Sequence, residues 1–449
     1  ARNYRTCGQD GCYNQRMSPQ PQHEPLPEEV PMTPPTKKHL SPAILVIILF
    51  GFISMFGDMV YESARSANSQ YLNLLGVSAA TVGLVFGIGE FLGYALRLVS
   101  GLLSDKTSKH WLFLMIGYGM LISVPIMGLT RHWPLLLVLI LMERIGKALR
   151  NPSKDTIVSQ VAQGDVGVGF AFGLQEALDQ VGAFAGPLIF TLVFYLSGGQ
   201  GIAQYQSAYR WLLVPFIMLM AFLVYVQRKT TAEGLIKAPA PSAFRSERLQ
   251  PVFWWYSAFT FLATLGFVNF SLIGFHLKAN NLLPDGQITL LYSIAMAVDA
   301  LSALLVGRWY DRLKQKNGRH MDGLGVLVGI PLLSMALPLL TLTRSVPLIV
   351  AGMVIFGIVM GTHETVMRSA IADLTPFSKR GTAYGVFNTI YGLGFLAGAA
   401  LMGWLYDHAY LNAINALSIG AEIAAFVVFI ILTRSVHALS GTGSSGNAA

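Results

Sequence analysis

Long apolar segments alternate with short polar connections along almost the whole chain. Segments of about 18 or more mostly apolar residues are long enough to cross a hydrocarbon core of ~30 Å at ~1.5 Å per residue. The alternation predicts twelve transmembrane helices, at about 42–66, 79–102, 110–130, 134–161, 168–196, 209–227, 252–278, 287–310, 322–342, 346–371, 381–406 and 411–433. We therefore expect an all-α membrane protein, and an even number of crossings places both termini on one side of the membrane.

Composition and charge placement agree with a membrane protein. Hydrophobic residues make up 53% of the chain and charged residues 12%, whereas soluble proteins carry about 25% charged residues. The net charge of +8 does not indicate nucleic-acid binding, because most Lys and Arg residues fall in the connections on the side of the termini. This bias predicts cytoplasmic termini, and we expect a multi-pass protein of the bacterial inner membrane, surrounded by the lipid bilayer.

The longer polar stretches divide the chain. Residues 1–40 lack an apolar core and are rich in Pro, Gln and Glu, which predicts a disordered cytoplasmic tail. A polar, basic linker at 229–250 separates two six-helix bundles, 41–228 and 251–434, and residues 435–449 form a second cytoplasmic tail. Cys7 and Cys12 could bind metal or form a disulfide, but an incidental pair is favoured, so no metal site is predicted.

Two internal repeats indicate that the bundles are related. The connections after helices 2 and 8 share Gly-x3-Asp followed by a base, as Gly101, Asp105 and Lys106 and again as Gly307, Asp311 and Arg312. Small residues of helix 5 also recur on helix 11 at one constant offset: Gly169, Ala171, Gly173, Gly182, Ala185 and Gly186 correspond to Gly381, Ala383, Gly385, Gly394, Ala397 and Gly398. Small residues let membrane helices approach closely, so these positions predict helix packing.

These features together resemble the major facilitator superfamily over about 41–434. That family carries G-x-L-x-D-[RK]-x-G-[RK]-[RK] after helix 2. The matching residues here are Gly101, Leu103, Asp105, Lys106 and Lys109, and the departures are Ser108 and His110. The resemblance implies two pseudo-symmetric six-helix bundles (the major facilitator fold). It also implies a cytoplasmic gate in which the Asp105 carboxylate meets the positive end of helix 11 and a helix 4 base.

A second pattern, on helix 5, is similar to one in proton-coupled exporters of this superfamily, G-x8-G-x3-G-P-x2-G-G. The matching residues are Gly173, Gly182, Gly186 and Pro187, with Phe190 and Thr191 in place of the last two glycines. Helix packing alone also explains these glycines. The stretches GDMVYES and ERIGKALRNPSKD resemble a bacterial branch that includes drug-resistance exporters, so the resemblance favours export over import.

Helix 1 carries three charged residues on one face. Asp58, Glu62 and Arg65 are spaced by four and three residues, which places them together on a helix. Arg65 can pair with Glu62, which leaves Asp58 as a surplus carboxylate able to exchange a proton. We predict that Asp58 and Glu62 couple transport to protons; a fixed cluster of ion pairs is the alternative.

Helix 4 has the densest group of charges. Counting from Pro134, Glu143 and Arg144 lie ~14 Å deep, near the bilayer midplane. We predict Glu143 as a proton-coupling residue, and Arg144, Lys147 and Arg150 as substrate-binding residues. Lys154 is expected to reach the cytoplasmic surface by snorkelling.

Helix 5 adds polar residues at a similar depth. Glu176 and Asp179 are predicted proton-coupling residues and Gln175 a substrate-binding residue. Two interpretations stay open: the acids neutralise Lys147 and Arg150 permanently, or protonation of an acid frees one of these bases during transport.

Further candidates lie on helices 2 and 8. Glu90 and Arg97 are seven residues apart on one face, which predicts a pair at the gate. Asp299 is deep in helix 8, and we expect it to line the cavity and contact substrate. The gate set is therefore Arg97, Gly101, Asp105, Lys106, Gly307, Asp311 and Arg312.

The predicted function is secondary active transport. No Walker A sequence occurs in the chain, which disfavours ATP as the energy source, and no nucleophile–base or metal set indicates an enzyme. We expect a monomer without cofactors that moves a small organic solute by alternating access, by proton-coupled antiport. Proton-coupled import or facilitated movement of an organic anion, and a non-transporting receptor, are the alternatives.

Overall fold

Twelve helical segments run through the part of the chain that the computed structural model describes, residues 41–162, 167–234, 249–317, 322–375 and 380–442. Eleven are long and apolar enough to cross a membrane; the other, α4, is 30 residues long and rich in charge. The segments are α1 (Pro42–Leu74), α2 (Ala79–Thr107), α3 (His110–Gly119 and Ser123–Met127), α4 (Trp133–Ala162), α5 (Val168–Ser197), α6 (Ile202–Trp211 and Leu213–Ala232), α7a (Pro251–Gly266), α7b (Phe270–Ala279), α8 (Asp285–Asn317), α9 (Gly329–Ser334 and Leu337–Thr341, after a 3₁₀ turn over Asp322–Val328), α10 (Val346–Leu374), α11 (Arg380–Asp407) and α12 (Leu411–Thr442).

The order of helices predicted from the sequence is confirmed, with differences at several ends. Helix α1 continues to Leu74 rather than 66, because polar residues of its last turns are buried and hydrogen-bonded instead of facing water. Tyr209 donates to Asn68 over 2.5 Å, and Tyr205 donates to Gln70 over 3.1 Å. Helix α12 likewise continues into the predicted second tail. The predicted first tail and linker residues 235–248 lie outside the described residues.

Equivalent helices pack in the same way in the two halves. A methyl group on Gly182 of α5 would collide with the carbonyl oxygen of Met55 on α1, and one on Gly186 would lie 2.6 Å from that of Met59. In the second half, a methyl group on Gly398 of α11 would lie 2.5 Å from the carbonyl oxygen of Leu265 on α7a, and Gly394 is similarly close to the same helix. The fold is thus a pseudo-symmetric pair of six-helix bundles.

Gly173 differs from the other glycines of the α5 pattern. A methyl group there would meet no atom of the described residues within 4 Å. The residue therefore makes no close helix contact, although the spacing grouped it with Gly182 and Gly186. Pro187 lies inside α5, which stays helical to Ser197.

The two halves are hydrogen-bonded to each other towards one end of the bundle. We call this end, where α1 ends and α2 begins, the distal end. Thr191 of α5 and Thr289 of α8 join through their hydroxyl groups at 2.8 Å, and the hydroxyl of Ser293 on α8 donates to the carbonyl oxygen of Phe184 over 2.5 Å. Asp407 at the end of α11 accepts from the backbone at the start of α2. These contacts close the distal end.

Candidate functional site: a charged cavity between the halves

A cavity of about 120 Å³ lies between the two halves and is lined by α1, α2, α3, α4, α5, α8 and α10. Six carboxylates and five cations face it, which is unusual inside a membrane protein because isolated charges are costly there. They are Asp58, Glu62, Glu176, Asp179, Asp299 and Glu364, and Arg65, Arg97, Lys147, Arg150 and Lys154. Most of the charged residues singled out in the sequence therefore meet in one place.

Some of these charges are paired directly. Arg65 lies 3.6 Å from Glu62 on the same helix, as the spacing on α1 predicted. Lys154 lies 3.6 Å from Asp179 and donates to the hydroxyl of Ser54 over 2.9 Å. The prediction that Lys154 snorkels to the cytoplasmic surface is wrong, because its side chain turns into the cavity and is only 13% exposed.

Three other cavity charges, Asp58, Lys147 and Arg150, have no opposite charge within 4.0 Å among the described residues. Asp58 makes neither an ion pair nor a hydrogen bond there. Lys147 places its ammonium 3.7 Å from the centre of the Tyr61 ring, and Arg150 lies 5.0 Å from that of Tyr118. A cation over an aromatic face is stabilised without being neutralised, so Lys147 and Arg150 remain charged groups that a ligand can meet.

Arg144 forms a separate network beside the cavity. Its guanidinium lies 2.9 Å from Glu90 and 3.3 Å from Glu143, and it donates to the Tyr61 hydroxyl. The side chain is 3% exposed. Arg65 joins the same network at 3.6 Å from Glu90.

This network changes several expectations. Arg144 and Glu143, predicted to bind substrate and protons, do not line the cavity, and Gln175 is buried outside it. Glu90 pairs with arginines of α4 and α1 and not with Arg97, whose Nε donates to the carbonyl oxygen of Gly93 over 3.0 Å.

The second half contributes fewer cavity residues. Asp299 is 3% exposed, and its Oδ1 has no hydrogen-bond partner. Tyr292, which sequence reasoning missed, donates to Glu62 over 2.6 Å and so connects α8 to the acidic face of α1. Tyr61 was missed as well; aromatic residues are so common in this chain that neither carried a recognisable signal.

The predicted gate residues lie at the opposite end of the bundle, which we call the proximal end. Asp105, Lys106, Asp311 and Arg312 are exposed. No cation among the described residues lies within 4.0 Å of either aspartate. Gly101 faces Pro152 of α4, and Gly307 lies near Thr365 of α10. The gate contact implied by the family resemblance is therefore not formed between described residues, and residues 376–379, just before α11, lie outside them.

A different ion pair is present at the proximal end of the second half. Lys314 of α8 lies 2.8 Å from Asp373 of α10, and the Tyr310 hydroxyl donates to the same carboxylate over 2.5 Å.

Within the described ranges, no cluster of three or more His, Cys, Asp or Glu residues has the geometry of a metal site; Cys7 and Cys12 lie outside these ranges.

Comparison with known proteins places this fold in a family. The family model of the Major Facilitator Superfamily matches residues 44–336 and 276–447. An uncharacterised protein of Mycobacterium tuberculosis is 35% identical over 392 residues, covering 86% of this chain and 92% of the relative. An uncharacterised MFS-type transporter of Methanocaldococcus jannaschii is 26% identical over 378 residues, covering 80% of this chain and 88% of the relative.

A solved structure has the same fold. A mutant form of the nucleoside transporter NupG superposes with a TM-score of 0.68 at 12% identity, over 86% of this chain and 99% of that one. At this identity the likeness concerns the fold alone. With its two related six-helix halves and a family match over nearly all of its described length, this chain is a multi-pass membrane protein that belongs to the Major Facilitator Superfamily.

Proposed function

We propose that this protein is a proton-coupled secondary transporter that exports a small organic solute by antiport. The observation that carries the proposal is Asp58, a cavity carboxylate without an ion-pair or hydrogen-bond partner among the described residues, on the same lining as Lys147. A desolvated carboxylate of this kind takes up a proton more readily than one held in an ion pair.

The proposed coupling uses competition between a proton and a cation. When Asp58 is ionised it attracts Lys147 electrostatically across the cavity. When Asp58 is protonated, this attraction disappears, and Lys147 and Arg150 are free to hold a polar or anionic group of the solute. Asp179, Glu176 and Asp299 are further carboxylates on the same lining.

The proposed transport cycle is alternating access. The distal end is closed by bonds between the halves, whereas the proximal aspartates Asp105 and Asp311 are not engaged by described cations. With cytoplasmic termini, as the basic connections indicate, this arrangement corresponds to a state open to the cytoplasm. Asp105 and Asp311 would brace the proximal end in the alternate state, in a bacterial inner membrane.

A second candidate is proton-coupled import of an organic anion. Lys147 and Arg150 favour it, because both line the cavity without an opposite charge within 4.0 Å among the described residues. Export is placed first because of the resemblance of the α5 glycine pattern to that of proton-coupled exporters.

Flux through the reconstituted protein tests the proposal. The full chain is placed in liposomes loaded with a labelled bacterial metabolite pool, and solute loss is followed by mass spectrometry with and without an imposed pH gradient. Export requires that an acidic exterior accelerates loss of at least one solute. Flux without any response to the gradient would overturn proton coupling, accumulation with the proton gradient would support import, and no flux of any solute would favour a receptor.

A further inference from the structure

A second buried carboxylate lies in the second half, away from the charged cavity. Glu422 of α12 has no exposed surface, and neither of its carboxylate oxygens is within hydrogen-bond geometry of a described residue. No Lys, Arg or His among the described residues lies within 4.0 Å of it. A buried ionised carboxylate without a counter-charge is strongly unfavourable, so this group is either protonated or balanced by a cation that the described side chains do not supply.

Three groups with oxygen atoms lie near Glu422. Its Oε1 would lie only 2.8 Å from a methyl group on Gly266, so the carboxylate lies directly against the backbone of α7a. The hydroxyl of Ser418, one turn earlier on α12, donates to the carbonyl oxygen of Gly266 over 2.6 Å. The hydroxyl of Ser334, at the end of the first segment of α9, faces the Glu422 carboxylate, close enough to interact with it but outside strict hydrogen-bond geometry with any described residue.

The helix break beside Glu422 contributes to a negative electrostatic potential at the site. Helix α7a ends at Gly266, and the buried residues Phe267 to Asn269 are not helical before α7b begins. The last carbonyl groups of a helix lack intrahelical partners and form its negative end. This negative end and the Glu422 carboxylate meet at Gly266, so the site attracts a cation and repels an anion.

We propose that Glu422, Ser334, Ser418 and the carbonyl oxygen of Gly266 bind a sodium ion. The donors are all oxygen, which suits a hard cation. One carboxylate balances one positive charge, whereas a divalent ion would leave an uncompensated charge in an apolar interior. Oxygen ligands at the break of a discontinuous membrane helix are a chemically suitable setting for a monovalent ion.

The site is distinct from the charged cavity. Its ligands come from α7a, α9 and α12, whereas the second half lines the cavity only through α8 and α10. A bound ion would hold α12 and α9 against the broken helix and so fix the geometry of the break. The inference goes beyond the proposed transport function, because ion binding can be measured without knowing the solute.

Thermal unfolding in defined salt tests the proposal. The purified full chain in lipid nanodiscs is heated in NaCl or in choline chloride at equal ionic strength, and the unfolding midpoint is followed by intrinsic fluorescence. A ligand that binds only the folded state raises the midpoint as its concentration exceeds the dissociation constant. We expect a saturable rise with sodium, its loss in Glu422→Gln, and an about tenfold higher half-saturating concentration in Ser334→Ala.

Asp373→Asn is the matched control, because it removes a carboxylate of the same half that lies outside both this site and the charged cavity, and it should leave the sodium response intact. Sodium-22 binding to the same samples provides a second measurement. If Glu422→Gln does not fold, the sodium response of Ser334→Ala tests the proposal instead. Equal midpoints in sodium and choline for the wild type would overturn the proposal. A midpoint that depends on pH but not on sodium would also overturn it, since Glu422 would then be neutralised by a proton alone.

Discussion

The carboxylate of Asp407, at the end of α11, accepts a hydrogen bond from the backbone N–H of Ala79, at the start of α2, over 2.8 Å. Its second oxygen accepts from the next N–H, that of Ala80, also over 2.8 Å. A carboxylate at a helix N-terminus satisfies unpaired donors and favours the positive end of the helix dipole. Because the helices belong to different halves, this contact latches the distal end shut.

Asp407→Ala should weaken this latch and increase the population of molecules open at the distal end. The change is measurable as a longer distance between spin labels at Leu129→Cys and Tyr410→Cys, both on exposed distal connections, after Cys7 and Cys12 are replaced by Ser. His408→Ala, a neighbouring exposed change, is the control. An identical distance distribution in Asp407→Ala and in the control would contradict the latch.

Arg144 and Glu90 should behave as a coupled buried pair. Arg144→Met leaves two carboxylates without their main cation, and breaking a buried ion pair costs about 3–5 kcal/mol. Adding Glu90→Gln should restore part of the loss, because less uncompensated charge remains, with a coupling of at least about 0.5 kcal/mol. The free energies of unfolding of the two single variants and the double variant measure this coupling. Strict additivity would mean that the pair is not an energetic unit.

Two glycines of α5 offer a matched test of helix packing. Gly182→Ala should destabilise the protein by about 1–3 kcal/mol, because the added methyl group meets the backbone of α1. Gly173→Ala meets no atom of the described residues within 4 Å and should be neutral or gain up to about 1 kcal/mol from helix propensity. The two unfolding midpoints measure the difference, and equal effects would rule out close packing at Gly182.

Lys147 should be required for holding the solute. Lys147→Ala removes the cavity ammonium above Tyr61 and should reduce flux of the transported solute by about tenfold or more. Lys229→Ala, in an exposed pair with Glu233, is the control for loss of a single positive charge. Unchanged flux in Lys147→Ala, with an unaltered unfolding midpoint, would exclude a role for this residue in recognition.

Much of the fold could be predicted from the lengths of the apolar segments, because each membrane crossing needs a long apolar segment. The pattern failed where polar residues are buried: Asn68 and Gln70 end the apolar segment of α1 but not the helix, since tyrosines of α6 hydrogen-bond to them. The break at Phe267 to Asn269 was not predicted either, although Gly266 precedes it and Asn269 caps the helix that follows, because the stretch 252–278 contains no proline.

Only part of the candidate site could be predicted from the sequence. Spacing predicts which residues share a helix face, and it correctly paired Arg65 with Glu62. It does not predict which neighbouring helix that face meets. Arg144 and Lys147 are three residues apart on α4, yet Arg144 turns to Glu90 of α2 while Lys147 lines the cavity. Spacing also does not predict how far a long side chain reaches, which is why the predicted position of the Lys154 side chain is wrong.

The most direct test of the central claim compares wild type with Asp58→Asn in the same liposomes. Asparagine keeps the shape of the side chain but cannot take up or release a proton. We predict that a pH gradient accelerates solute export by the wild type and by the control Glu233→Gln. In Asp58→Asn, solute exchange should persist while the response to the gradient disappears. An undiminished response to the gradient in Asp58→Asn would contradict the account.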